Sequence, residues 1–284
     1  MIASITHSTG HGVRRVCAVL QVPRSSYYHA AAPTQSCLED AELALAIGTI
    51  FHQHRRRYGY RRIWKQLGVE GIVCAPCRVR RLMREQGLVA LQPKTYTPKT
   101  SDGRADAPSP NLLLDKPLPA LPNEVWAGDI TFIPYADKWL YLAVVIDLCS
   151  RRIVGWALAD HMRSDLVVDA LQQALQARCG TQGLIFHSDR GSQYGSKAFR
   201  ALLQCGDIRQ SMSARANPYH NAWTESFMGT LKAELIQGDR YTSFSDAHTE
   251  LFAFIDSYYN TQRLHSSLNY RSPSRFEADI ALAN

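Results

Sequence analysis

Seven prolines fall within residues 93–122 (Pro93, Pro98, Pro108, Pro110, Pro117, Pro119 and Pro122), and they decide how the chain can be built. Each removes a backbone donor and fixes φ at about −65°, so neither a long helix nor a central strand runs through the segment. An extended tether is expected there, with one module on each side. At 284 residues and 45% hydrophobic, the chain is long enough for both modules to bury a core.

The two sides differ in charge. Residues 1–123 carry 17 Lys/Arg against 8 Asp/Glu, net +9, and the remainder carries 15 against 17, net −2. The positive excess is local, as in a module that docks on a polyanion beside one that does something else. Seven cysteines, an odd number spread along the chain, argue against a disulfide framework and for a reducing, cytoplasmic compartment. No signal peptide or membrane span is expected, since the most apolar run, residues 140–148, is short and holds Asp147.

Residues 1–38 read as a short helical segment, with a helix from residue 11, a turn at Val22-Pro23 and a second helix opening at Ser25 or Ser26. Residues 39–92 read as a basic helix-turn-helix module. Apolar residues recur at helical spacing at Leu43, Ile47 and Ile50, then at Ile63 and Leu67, then at Val79, Leu82 and Met83, with a turn over residues 68–71. Between Phe51 and Arg84 stand ten Lys/Arg against one acid, Glu70. Helix, turn, basic helix is the outline of a DNA reader whose second helix enters the major groove. Arg55, Arg56, Arg57, Arg61, Arg62, Arg78, Arg80 and Arg81 are the candidate contacts, interleaved with Tyr58, Tyr60 and Trp64. The competing reading is a small bundle with a solvated basic face.

Beyond the tether, residues 123–284 change texture. EVWAGDITFIPY, WLYLAVVIDLCS and RRIVGWALA are three β-rich runs with short polar breaks, an antiparallel meander. A helix follows over residues 163–179 with Ser164 available as its cap, then a short buried strand, GLIFHSD, and further helices. This is the order of an RNase H-like α/β domain, expected as a five-stranded mixed sheet flanked by helices.

Three acids stand in suggestive places. Asp129 lies inside the first strand, Asp189 ends the GLIFHSD strand, and Glu225 lies in a helix after Asn217-Pro218. A carboxylate inside an apolar strand is costly unless compensated, and converging carboxylates repel until a cation relieves them. An all-oxygen ligand set points to Mg²⁺ or Mn²⁺, and two such ions can activate a hydroxyl and stabilise the leaving oxygen of a phosphodiester. Spacing alone is weak evidence, because this half of the chain holds 17 acids. Asp137, Asp147 and Asp160 read as turn, strand-end or solvated positions. Glu225 and Lys232 lie two helical turns apart with Gly229 between, so Lys232 can hold a backbone phosphate.

The contexts WAGDITF, HSDRGSQY and NAWTESF resemble the integrase-core protein of insertion sequence three family transposases, a branch of the DDE superfamily that includes retroviral integrases. The 35 residues between Asp189 and Glu225 fit that family, as do LYLAVVIDLCSRRIVGW, Lys232, YYNTQRLHSSL with Ser272-Pro273, YGYRRIWKQL and RVRRLMREQGL. His220, Cys149 and Asn269 depart from its usual residues without touching the three acids. The resemblance implies a transposase that hydrolyses a phosphodiester at each element terminus and directs the freed 3′-hydroxyl at a second one. Asp129, Asp189 and Glu225 would be catalytic and hold two Mg²⁺ (or Mn²⁺) ions. The implied partners are double-stranded DNA, both terminal repeats and target, further copies of the chain, and an upstream helix-turn-helix and leucine-zipper frame. Two rivals stay open: a non-catalytic DNA-binding regulator, and an RNA-hybrid nuclease on the same fold.

Three constellations are set aside. His52, His54, Cys74 and Cys77 have the wrong histidine spacing for an integrase zinc module, and i, i+2 histidines diverge on a helix. Arg263 and His265 near Tyr258 and Tyr259 could be taken for a tyrosine-recombinase constellation, but the strand-borne acids have no role in that chemistry. His187, two residues before Asp189, reads as a buried hydrogen-bonded histidine.

Overall fold

The structure, a computed structural model, describes residues 2–25, 35–92, 109–114, 116–179, 181–213, 222–237 and 240–283. It divides into two compact units, Met1–Ala90 and Leu91–Asn284.

In the first unit α1 (Ile2–Thr9) and α2 (Val13–Val19) form a short pair, followed by α3 (Gln35–Gln53), α4 (Tyr60–Val69) and α5 (Pro76–Glu85). Arg24 and Ser25 are helical, and the rest of the expected second helix lies outside the described residues. The last three helices bury Leu43, Ile47, Ile50, Ile63, Leu67, Val79, Leu82 and Met83, the apolar stripes of the sequence, and with them Phe51 and the Tyr58 that precedes α4. Pro76 opens α5, where its missing N–H costs nothing. Trp64 Nε1 donates to Cys74 O at 2.9 Å and fastens the turn between α4 and α5.

The second unit is built on a five-stranded sheet of order β3-β2-β1-β4-β5. Its strands are β1 (Val125–Tyr135), β2 (Lys138–Asp147), β3 (Ile153–Ala159), β4 (Ile185–Ser188) and β5 (Arg209–Met212). The first three pair antiparallel, and β4 and β5 join parallel. Helices α6 (Ser164–Ala177) and α7 (Lys197–Cys205) cover one face over a core that includes Trp126, Ile130, Leu171, Phe186 and Phe199. Gly155 lets α6 lie close, since a Cβ there would sit 2.2 Å from Ala170 O. Ser164 is not the cap of α6: Arg163 occupies that position, without a side-chain hydrogen bond.

After β5 come α8 (Ala222–Leu231), a π-helical turn (Lys232–Ile236), α9 (Phe244–Phe252), a second π-helical stretch (Ala253–Tyr259) and α10 (Pro273–Ala283). The meander, α6 and β4 match the sequence reading. The tether differs where it is described, its remainder over residues 93–108 lying outside. Residues 109–114 dock on the sheet edge, with Leu112 N donating to Ser211 Oγ at 2.9 Å and Ser109 Oγ to Gln210 at 2.9 Å. Met212 N of β5 also donates to Pro110 O at 3.4 Å, which covers one backbone donor of this edge strand.

Candidate active site

Asp129 opposes Val144 of β2 in the antiparallel ladder, on the inner strand of the sheet. Its Oδ1 accepts from Ile130 N at 2.8 Å. Asp189 follows β4, the parallel neighbour of β1, and its Oδ1 accepts from Gly191 N at 2.9 Å. A Cβ at Gly191 would stand 3.0 Å from that same oxygen and 2.9 Å from Gln193 Oε1, so glycine leaves both side chains room. Gly128 is required for a similar reason: the Phe186 ring would lie 2.6 Å from its Cβ. The two acids thus come from adjacent strands, each with one oxygen held by backbone.

They line one pocket of about 100 Å³ with Ile130, Met162, Gly191, Gln193 and Tyr194. That volume is below the roughly 300–1,000 Å³ of small-molecule and cofactor sites. It suits small ions and water. Burial, and then the neighbouring Asp189, push the Asp129 carboxyl up from 3.8 to about 7, with Glu225 adding to the rise and Lys232 opposing it. Burial likewise pushes the Tyr194 phenol well above its ordinary range. Among the described residues, no cationic side chain forms an ion pair with Asp129, Asp189 or Glu225. The core's arginines pair elsewhere, Arg152 and Arg178 with Glu277 and Arg263 with Glu234.

Glu225 is exposed in the first turn of α8 and acts on Asp129 through its charge. Lys232 opens the π-helical turn, half-buried, and burial lowers its pKa against the pull of Asp129. All four charged residues therefore share one electrostatic neighbourhood. Among the described residues, however, no three His, Cys, Asp or Glu side chains are gathered into a metal-holding group. The donor set fits a divalent cation at the Asp129–Asp189 pair, and Glu225 stands off from it. An added Cβ at Gly229 meets nothing, so that face of α8 is open. His220 lies outside the described residues.

Sequence reasoning gives no role to Tyr194, Gln193 or Gly191, although all three stand in HSDRGSQY. It also takes Asp147 for a turn, strand-end or solvated position. Asp147 does end β2, but it is fully buried there, accepting from the backbone N–H groups of Asn123, Cys149 and Ser150 at 2.7–2.9 Å. His187 is buried with Nδ1 2.9 Å from Ser211 Oγ, as expected.

In the first unit the basic residues separate into two sets. Arg55, Arg56, Arg61 and Arg80 are exposed, the first two at positive φ in the turn after α3. Arg61 and Arg80 both lie near the Tyr60 ring, at 5.7 and 5.9 Å. Arg57 is buried, and Arg62 donates to its carbonyl at 3.4 Å. Arg78 and Arg81 share Asp40, at 2.5 and 2.6 Å. These pairs join α3 to α5, a cross-helix contact that periodicity cannot reveal. His54 is buried and stacks on Tyr58 at 3.8 Å. The six described cysteines are all free thiols, and no described helix is long and apolar enough to cross a membrane.

Comparison with known proteins shows which families the chain resembles. The integrase core domain family matches residues 119–218, a second integrase core domain family matches 206–273, and an HTH-like domain matches 38–96. The transposase for insertion sequence element IS904 of Lactococcus lactis subsp. lactis (strain IL1403) is 41% identical over 245 residues, 86% of this chain and 97% of the relative. Transposase InsF for insertion sequence IS3A of Escherichia coli (strain K12) is 35% identical over 276 residues, 95% of this chain and 96% of the relative. Among solved structures, the HTLV-2 integrase catalytic core domain in complex with magnesium (trimeric form) aligns with TM-score 0.42 and 18% identity, covering 55% of this chain and 97% of that one.

Proposed function

The chain belongs to the insertion sequence three family of DNA transposases, and from that premise we propose how its own residues carry strand transfer. Asp129 and Asp189 would hold divalent cations through their carboxylates, and Glu225 would complete the set from α8. When bound, two Mg²⁺ (or Mn²⁺) ions supply Lewis-acid stabilisation to the attacking and departing oxygens of a phosphodiester. Lys232 holds a backbone phosphate beside the acids, and the open face at Gly229 gives the DNA room to approach. Tyr194 stays protonated and walls the pocket without taking a proton. The substrate hydroxyls are water for end cleavage and the freed 3′-hydroxyl for transfer.

The observation that carries this reading is that two carboxylates line one small pocket and neither has a cationic partner among the described residues. A structural pair of acids would be paired or neutralised by the protein itself. The test is Asp129→Asn assayed on pre-cleaved terminal DNA. Metal-dependent transfer should fall by about 10³-fold while binding of the terminal duplex persists. Surviving transfer refutes the catalytic assignment. A parent chain that binds the same duplex and transfers no strand in Mg²⁺ or Mn²⁺ would favour the regulator.

For the helix-turn-helix module we assign direct phosphate or base-edge contact to Arg55, Arg56, Arg61 and Arg80, with Arg62 beside them. Arg78 and Arg81 set the pose of α5 through Asp40, and Arg57 supports the turn from inside. Two element ends call for at least two chains in the active assembly, working on the nucleoid of a bacterial cytoplasm.

A further inference from the structure

The closing motif YYNTQRLHSSL lies far along the chain from the three acids, and nothing in the chemistry proposed above uses it. Its buried members grip the segment that carries Glu225 and Lys232, or the sheet beside it. Arg263 donates to both oxygens of Glu234, Nε at 2.9 Å and Nη2 at 2.7 Å, with both side chains only 6–7% exposed. Glu234 sits in the π-helical turn that Lys232 opens. Tyr259 meets Phe227 of α8 edge-on at 4.9 Å and His265 at 4.7 Å, and Arg263 lies over the Tyr259 ring at 5.7 Å. Asn260 anchors the motif to the sheet, with Oδ1 and Nδ2 bonding Ile153 N and O, each at 2.9 Å.

A π-helical turn is a rare, locally wider winding, and it persists only where its surroundings hold it. Here it re-aims the chain at Lys232, whose carbonyl accepts from Gln237 N at 2.8 Å. A planar guanidinium fork fixes its carboxylate partner in both distance and orientation, which an apolar contact of equal volume does not. Burying such a pair is no efficient route to stability.

We infer that the Glu234–Arg263 pair, braced by Tyr259 and Asn260, is a positioning device that sets Lys232, and through α8 Glu225, against the Asp129–Asp189 pocket. The inference rests on the reading of those acids and that lysine given above. Neither Glu234 nor Arg263 touches substrate. Their effect is on the orientation of residues that do.

The test uses the full chain with the double variant Glu234→Leu/Arg263→Met, which keeps the buried volume and removes the fork. The variant is expected to melt at or above the parent temperature and to bind terminal DNA within about twofold. Its strand-transfer rate at saturating DNA and Mg²⁺ should fall at least 30-fold, about 2 kcal/mol of lost transition-state stabilisation. Amide exchange of Gln237 should quicken together with that loss. A folded double variant with the parent rate and parent Gln237 exchange overturns the inference. Should the double variant fail to fold, Arg263→Lys, which keeps the charge without the fork, is read by the same three measurements and the same criteria. Asp129→Asn run alongside separates the two readings. If it transfers strands normally the catalytic assignment fails, whereas a dead Asp129→Asn beside a fully active double variant sinks only the positioning role.

Discussion

Asp129→Asn should do two opposite things, abolish strand transfer and stabilise the metal-free fold. An aspartate carboxyl ordinarily titrates near 3.8, and burial beside Asp189 raises that of Asp129 to about 7 in the folded chain. Below the lower value both states are protonated and the group contributes nothing. Between the two values the unfolded chain releases the proton and the folded chain keeps it, so stability falls as pH rises. The penalty is complete above about pH 7. At about 1.4 kcal/mol per pH unit, this gap of about three units corresponds to at most about 4 kcal/mol. An asparagine keeps the oxygen that accepts from Ile130 N and carries no charge. With about 2–4 °C per kcal/mol for a domain of this size, the variant should melt up to about 16 °C higher at pH 8 in chelator. The gain should shrink to nothing near pH 4. Mg²⁺ should raise the melting temperature of the parent and leave the variant unmoved. Thermal unfolding followed by circular dichroism from pH 4 to 9, with and without Mg²⁺, reads all of this. A variant that melts at or below the parent at pH 8 without metal refutes the reasoning.

Gly155→Ala should cost about 3 kcal/mol, measured by urea unfolding, because its Cβ would stand 2.2 Å from Ala170 O and 2.7 Å from Ala174 N. Arg55→Gln with Arg56→Gln should weaken terminal-DNA binding and flatten its salt dependence by about one unit of slope for each phosphate no longer neutralised. Arg57→Gln, acting on a buried side chain, should instead lower the melting temperature and leave that slope alone. Asp40→Ala removes the acid that Arg78 and Arg81 share and leaves Arg81 on Glu85 and Arg78 beside Glu39, so α5 should be held less firmly and the melting temperature should fall. An unchanged melting temperature would mean that the Asp40 contacts do not hold α5.

The fold was legible wherever one element's pattern was enough. The three β-rich runs alternate or stay apolar over their whole length, and the helical stripes of α3 to α5 recur at the expected spacing, so these elements appear where the sequence places them. Two of the three acids were legible as well, because a charge set between Trp126 and Phe132, or closing an apolar strand, is costly to hold until a cation or hydrogen bonds compensate it. What stayed hidden depends on partners distant in sequence. Asp147 looks like any strand-end acid until the backbone of Asn123 arrives from 24 positions away. Arg78 and Arg81 look like free cations until Asp40 is brought across from α3. β5 is a four-residue strand, RQSM, with no alternation to mark it. The π-helical turn at Lys232 has no sequence signal, and Arg263, which holds it, is 29 positions from the glutamate it grips.

Everything proposed for this chain's chemistry depends on Asp129, Asp189 and Glu225 sharing cations when DNA is in place. Anomalous scattering from Mn²⁺ in crystals of the chain with pre-cleaved terminal DNA measures that directly. The account predicts metal peaks on the carboxylates of Asp129 and Asp189 with Glu225 drawn in to complete the set, and their disappearance in Asp129→Asn. Manganese bound elsewhere, with the Asp129–Asp189 pocket empty beside a bound DNA end, would contradict it.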